Sequence, residues 1–205
     1  MSLQWLRNNF FLPEMRVAEG LGKDPYSIMT EQAERVPIGA NRLLFLPYLM
    51  GERNPILDPN ARAVFFGLSA IHNKYDMLRS VMEGVIYAQR QCLDVHRKMG
   101  IEFSEVYATG GGATSSLWRQ MIADIFELPV VTIQNREGPA LGAAILAGVG
   151  VGIYPSIPEA CRRIIKQNQA QNPIAENIKK YTPYYDLYCE LYPGMKKSFQ
   201  TLAKL

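Results

Sequence analysis

A short apolar strand that runs straight into three consecutive glycines constrains this chain more than any other stretch. Val106 to Thr109 is β-branched and aromatic-rich, and Gly110, Gly111 and Gly112 follow at once. A helical pattern then starts near Thr114 or Ser115, with Trp118, Met121, Ile122, Ile125 and Phe126 at helical spacing. Glycines at such a junction let the main chain turn tightly and leave no side chain between backbone and ligand. The N–H groups at the helix start attract anions and ligand oxygens. A second glycine-rich helix start, Gly138-Pro139-Ala140-Leu141-Gly142-Ala143-Ala144, follows the next predicted strand, Val130 to Ile133. Pro139 suits a first helical position. Gly142, Ala143 and Ala144 make a face small enough for something flat to pack on.

Paired strand–glycine–helix units point to a nucleotide site, although a glycine-rich turn is also, by residue type alone, a plain turn. The rival nucleotide reading is a dinucleotide-binding Rossmann unit. That unit requires Gly-x-Gly-x-x-Gly and an acid at the end of the next strand. Here the glycines are contiguous, Ser115 stands at the third fingerprint position, and Gln134, Asn135 and Arg136 follow Ile133 before any acid.

The rest of the chain reads as alternating helices and short strands. Leu3 to Phe11 is the end of a helix, and Asp24 caps a helix from Pro25 to about Arg35. Leu43 to Leu46 is a strand, and the charged loop Gly51 to Asn60 is rich in Pro and Asn. Ala61 to Leu68 is a second strand. Asn73, with Asp76 behind it, caps a long helix from about Tyr75 to Met99, which Gly100 ends. A helix from about Ser156 to Asn168 is followed by a polar break to Pro173. The stretch Ile178 to Leu205 is helical, and Pro183 and Pro193 are expected to bend or split it. The order describes an α/β protein with a mixed sheet of about four strands.

Composition excludes several functions. A net charge of +3 is too small to argue for nucleic acid. Cys92, Cys161 and Cys189 are too few and too scattered for a disulfide framework or a metal knuckle, and His72 and His96 have no second ligand at metal spacing. No stretch is long and apolar enough for a membrane span, and no leader is recognised, so a cytoplasmic setting is expected.

Further stretches carry a family resemblance. Ala63, Gly67-Leu68, Asp76-Met77 and Ser80-Val81-Met82-Glu83 fall in one signature, and Leu46 to Pro55 contains a Gly-Glu-Arg-x-Pro type of loop. Gly110-Gly111-Gly112-Ala113 is followed by Trp118-Arg119-Gln120-Met121 and Asp124, and then by Gly138 to Ala144. On these residues the chain resembles the C-terminal half of the FGGY carbohydrate kinases, most closely the members that phosphorylate xylulose. The resemblance implies an actin-like ATPase fold, with this chain a ribonuclease-H-like C-terminal domain whose incomplete sheet is flanked by helices. It implies transfer of the ATP γ-phosphoryl group to a sugar hydroxyl, with a carboxylate base and Mg²⁺. By position, Gly110, Gly111, Gly112 and Ala113 would line the nucleotide through backbone. Ser116 would hydrogen-bond near adenine, a place where relatives carry an amide, and Gly142 would help wall the adenine.

The same comparison places the sugar-binding N-terminal domain, the base Asp and a Gly-Thr-Ser-Gly type phosphate turn outside this chain, together with the metal ligands. Asp24, Asp58, Asp94, Asp124 and Asp186 do not match the base position, so no catalytic residue is assigned. The chain alone is expected to be inactive and to self-associate through a bared sheet edge. The alternatives are a non-catalytic adenine-nucleotide-binding or regulatory relative and, further off, a Rossmann-type oxidoreductase.

Overall fold

Helix α4 (Lys74–Lys98) is the element on which most of the others pack, and its ends are set by local chemistry. The Asn73 side chain accepts from the Tyr75 N–H at 2.7 Å, and Asp76 Oδ2 accepts from the Asn73 N–H at 2.8 Å. Each satisfies a donor that the first helical turn leaves without a partner. His96, Arg97 and Lys98 sit in the last turn, where the helix dipole favours positive charge. A computed structural model describes residues 1–134 and 138–205.

Before α4 come α1 (Ser2–Phe10), α2 (Leu12–Gly20), α3 (Pro25–Glu34), β1 (Leu44–Leu46) and β2 (Val64–Phe66). After it come β3 (Val106–Ala108), a 3-10 turn (Gly111–Thr114), α5 (Ser116–Phe126), β4 (Val130–Thr132), α6 (Gly138–Gly150), α7 (Ile157–Ile164) and α8 (Ala175–Leu202). Asp24 caps α3 as its sequence predicts, accepting from the Tyr26 N–H. The nine-residue helix α2 has no counterpart in the sequence reading.

The strands form two separate pairs among the described residues, which corrects the expected mixed sheet. β1 and β2 are antiparallel, with Phe45 opposite Phe65; β3 and β4 are parallel, with Tyr107 opposite Val131. α4 packs on β1, α5 packs on β4, and the two helices pack on each other. Strand composition records burial and leaves open which strands pair. α4 approaches β1 closely enough to require Gly84: a Cβ there would lie 2.1 Å from the Phe45 carbonyl oxygen.

The core between α4 and α8 is aromatic and carries one buried ion pair. Tyr87 lies 5.3 Å from Tyr188 and 5.9 Å from Tyr185 between ring centroids. Arg79 Nε donates to Glu83 Oε1 at 2.7 Å, the Gly39 N–H donates to the same oxygen, and Arg79 Nη2 reaches the Tyr181 hydroxyl at 2.6 Å. Burial pushes the Glu83 carboxyl up, and the Arg79 guanidinium opposes that shift. Of the expectation that Pro183 and Pro193 would bend or split the last helix, the split is corrected. α8 runs through Pro183 and Pro193 without interruption. The burial of Tyr181, Tyr185, Tyr188, Leu191, Tyr192 and Phe199 along it outweighs the two lost N–H donors.

α7 ends at Ile164, before the predicted limit. The chain beyond it runs antiparallel beside β4, through bridges Ile133–Gln167 and Val130–Gln171. An open strand edge offers that segment backbone hydrogen bonds that no further helical turn could match at the edge of the sheet.

Candidate nucleotide-binding site

The glycine loop at the end of β3 is built by its own backbone. Gly110 has φ +78 and ψ −169, a region that essentially only glycine occupies. It turns the chain out of the strand. The Ala113 N–H then donates to the Gly110 carbonyl at 3.1 Å, and the Thr114 hydroxyl donates to the Gly111 carbonyl at 2.7 Å. Ser115 caps α5 by accepting from the Trp118 N–H at 3.2 Å. The predicted helix start is thus preceded by a single 3-10 turn. Arg119, one turn into α5, reaches back and donates from Nη1 to the Ala113 carbonyl at 2.6 Å, which fixes the loop to the helix.

The protein itself has no steric need for glycine at 111, 112 or 142. A Cβ at Gly111 or Gly142 would meet nothing within 4 Å, and one at Gly112 would touch the Trp118 ring at an ordinary 3.6 Å. The room at Gly111 opens into a cleft of about 1060 Å³ at the ends of β3 and β4. Gly110, Gly111, Ala113, Thr114 and Arg119 form one wall, and Thr132, Ile133 and Gln134 form the floor. Residues 168–172 form the opposite wall. Of the predicted site residues, the structure brings Gly110, Gly111 and Ala113 together on this cleft. Gly112 and Ser116 are exposed on the neighbouring turn, and Gly142 is exposed on α6, all outside the cleft lining. Asn135, Arg136 and Glu137, which bear on the Rossmann alternative, lie outside the described residues.

Among the described residues Arg119 is the one charged side chain of the lining, so the cleft carries a positive charge suited to an anion. The opposite wall is tied to β3 through Tyr107, whose hydroxyl accepts from Gln167 Nε2 and donates to Glu105 Oε1 at 2.7 Å. The Glu105 carboxylate holds that hydroxyl's pKa above its usual value. The sequence reading did not single out the amides of 168–172. Its only signal was a run of Gln and Asn, which reads equally as a polar linker.

Asp58, in the charged loop, is a structural group. It accepts from the Tyr192 hydroxyl and from the Asn60 N–H, each at 2.8 Å. These bonds, the Tyr192 one foremost, hold its carboxyl below the usual carboxylate range. Among the described residues no three His, Cys, Asp or Glu side chains come together to hold a metal ion, and no helix is long and apolar enough to cross a membrane.

Comparison with known proteins agrees with this architecture. Residues 2–151 match the model of the C-terminal domain of the FGGY family of carbohydrate kinases. The chain is 35% identical to the xylulose kinase of Bacillus subtilis (strain 168) over 195 residues, covering 95% of this chain and 37% of that protein. It is 38% identical to the gluconokinase of Bacillus licheniformis over 208 residues, covering 98% of this chain and 39% of that one. The crystal structure of ligand-bound xylulose kinase from Lactobacillus acidophilus superposes with a TM-score of 0.85 at 30% identity, over 98% of this chain and 39% of that structure. The chain therefore spans under two-fifths of the length of these relatives. The actin-like ATPase fold expected from the sequence is shown by these neighbours, and the chain belongs to the FGGY family of carbohydrate kinases.

Proposed function

We propose that this chain is the nucleotide-binding part of an ATP-dependent sugar kinase whose acceptor is a pentulose, D-xylulose, and that it works in the cytoplasm. The observation that carries this reading is the glycine loop: Gly110 and Gly111 open onto a cleft that their own chain leaves unfilled. The N–H groups at the start of α5 would face the phosphates, and Gly111 and Ala113 would let ribose and α-phosphate approach the backbone. Arg119 would add positive charge while it holds the loop. Gly112, Ser116 and Gly142 would act from beside the cleft, where the nucleotide leaves its lining. The sugar site, the base and the ligands of Mg²⁺, which neutralises phosphate charge when bound, belong by this reading to the remaining length of the relatives.

A second acceptor is favoured by one observation. Gluconokinase from Bacillus licheniformis is as similar to this chain as the xylulose kinases are, so gluconate is the runner-up. A coupled ADP-release assay with xylulose, gluconate and glycerol at saturating Mg-ATP decides. The chain alone is expected to be silent. Joined to the N-terminal portion of the Bacillus subtilis relative, it is expected to turn over xylulose. Proximity and orientation of two substrates contribute roughly 7–11 kcal/mol, which half a site cannot supply. A sugar-dependent rate from the chain alone would contradict the division of labour. A silent hybrid that still binds ADP would favour a non-catalytic nucleotide-binding relative.

A further inference from the structure

A second cavity, of about 240 Å³, lies where α3, α4, α5 and α8 meet. Arg79 lines it and is 4% exposed. Its guanidinium carries five N–H donors. Nε donates to Glu83, Nη2 donates to the Tyr181 hydroxyl, and Nη1 makes only a long 3.4 Å bond to the Ala33 carbonyl. Two N–H groups are left without an acceptor among the described residues, and an unpaired buried donor costs stability. Acceptors stand on the same lining. Asn177 donates from Nδ2 to Asp124 and leaves Oδ1 without a donor among the described residues. The Glu34 carboxylate, exposed at the end of α3, has no ion-pair partner among them. The α5 side of this cavity bears on the nucleotide cleft. Asp124, 1% exposed, accepts from Gln120 Nε2 at 2.7 Å. Gln120 holds the far wall of the cleft through the Asn172 carbonyl at 3.0 Å and Gln171 Nε2 at 2.5 Å.

We propose that this cavity binds a small neutral polyol, and that Gln120 couples its occupancy to the nucleotide cleft. Charge selects the class. Arg79 gives the lining one positive charge, which Glu83 already offsets, while Glu34 and Asp124 give it two negative ones, so an anion is repelled. The guanidinium repels a metal ion or an ammonium group, and no three acids converge there among the described residues. A hydroxyl both donates and accepts. Neighbouring hydroxyls of one polyol can therefore meet the spare Arg79 donors and the Asn177 and Glu34 acceptors together, with Leu117 and Met121 against its C–H faces. The volume is below the roughly 300–1,000 Å³ of pockets for drug-sized ligands, which limits the ligand to a few carbon atoms. Asn177 and Gln120 share the Asp124 carboxylate. A ligand that fixes Asn177 also fixes Gln120 and the wall it holds, which tightens the nucleotide. Polyol binding stands apart from the nucleotide reading above; only the coupling rests on it. By that reading the acceptor sugar's own site lies outside this chain, so a polyol has no competing site here.

The test uses the full chain, with xylitol as the probe. Amide NMR shifts are expected to saturate with xylitol and to centre on Ile38, Gln120 and Asn177. ADP affinity by calorimetry should rise about fivefold or more at saturating xylitol, the lower end of ordinary coupling between sites. Sucrose, excluded from protein surfaces and too large for the cavity, controls for unspecific stabilisation. Val36→Phe fills the cavity from a residue off the cleft lining, and Glu34→Ala removes an acceptor at an exposed position. The first should abolish the shifts. The second should weaken xylitol about tenfold or more, the loss of one hydrogen bond to a charged group. Without xylitol, ADP affinity should be unchanged in both. Shifts that grow in proportion to concentration, or that survive both variants, overturn the site. Saturable shifts with ADP affinity unmoved overturn the coupling. No ADP binding at all overturns the nucleotide reading and the coupling with it, while the shifts still decide the site.

Discussion

Replacing Gly111 by valine separates the site from the fold. The Gly111 backbone is not in the left-handed region, and a Cβ there meets nothing within 4 Å, so the native conformation accepts a side chain. The position is exposed, and valine should be neutral to folding within about 0.5 kcal/mol, the usual range for such surface changes. That corresponds to a melting shift of about 1–2 °C for a chain of this length. Binding should respond differently. The new branched side chain occupies the place where a phosphate or ribose would approach the backbone. Hydrogen bonds to a charged group contribute about 1.5–3 kcal/mol each. Loss of two of them would weaken ADP by roughly a hundredfold or more, since each 1.4 kcal/mol is tenfold. Isothermal titration with ADP reads the loss, and circular dichroism on heating reads the fold. Gly111→Ala should fall between the two. Unchanged affinity in Gly111→Val, with the fold intact, would refute the assignment of the cleft.

Other outcomes follow from the same structure. Gly84→Ala would place a Cβ 2.1 Å from the Phe45 carbonyl oxygen; the forced shift of α4 from β1 should outweigh the helix-propensity gain and destabilise by roughly 1–3 kcal/mol in urea unfolding. Asp58→Asn should lower stability at pH 7. The folded-state pKa of Asp58 is depressed, chiefly by the Tyr192 hydroxyl, so its contribution is present above the unfolded value near ~4 and is lost as pH falls through the lower folded value. The gap between wild type and Asp58→Asn should therefore close in acid melts, and a gap that widens there would contradict the assignment. With Tyr107 on β3 48% exposed and Leu146 on α6 60% exposed, the isolated chain is expected to self-associate as concentration rises. Light scattering that shows a stable monomer would contradict that expectation.

Local chemistry was the legible part of the sequence. Asp24-Pro25 and Asn73 with Asp76 specify helix starts through hydrogen bonds that span only a few residues, and the structure places caps at both. The strand–glycine–helix unit was equally readable, because Gly110 needs a backbone region closed to other residues. What was not legible depends on contacts between distant segments. β1 and β2 pair apart from β3 and β4 because α4 and α5 pack between partners that composition cannot name. Pro183 and Pro193 stay within α8 because the tyrosines around them are buried against α4, a fact absent from local propensity. Gln120 and residues 168–172 meet across about fifty positions of sequence, and nothing in the run of Gln and Asn at 168–172 shows that contact until the fold joins them. The family resemblance already named Arg119, Gln120 and Asp124 in its motif, and the structure adds what they hold: the Ala113 carbonyl and the segment 168–172.

The most direct measurement is calorimetric titration of the chain with ADP and, separately, with NAD. Saturable binding of ADP with the stoichiometry of a single site, and much weaker binding of NAD, is expected. The ground is the contiguous glycine triplet and the absence of any acid directly after Ile133, where a dinucleotide site would hold ribose. Tighter binding of NAD than of ADP, or no heat of binding with either, would contradict it.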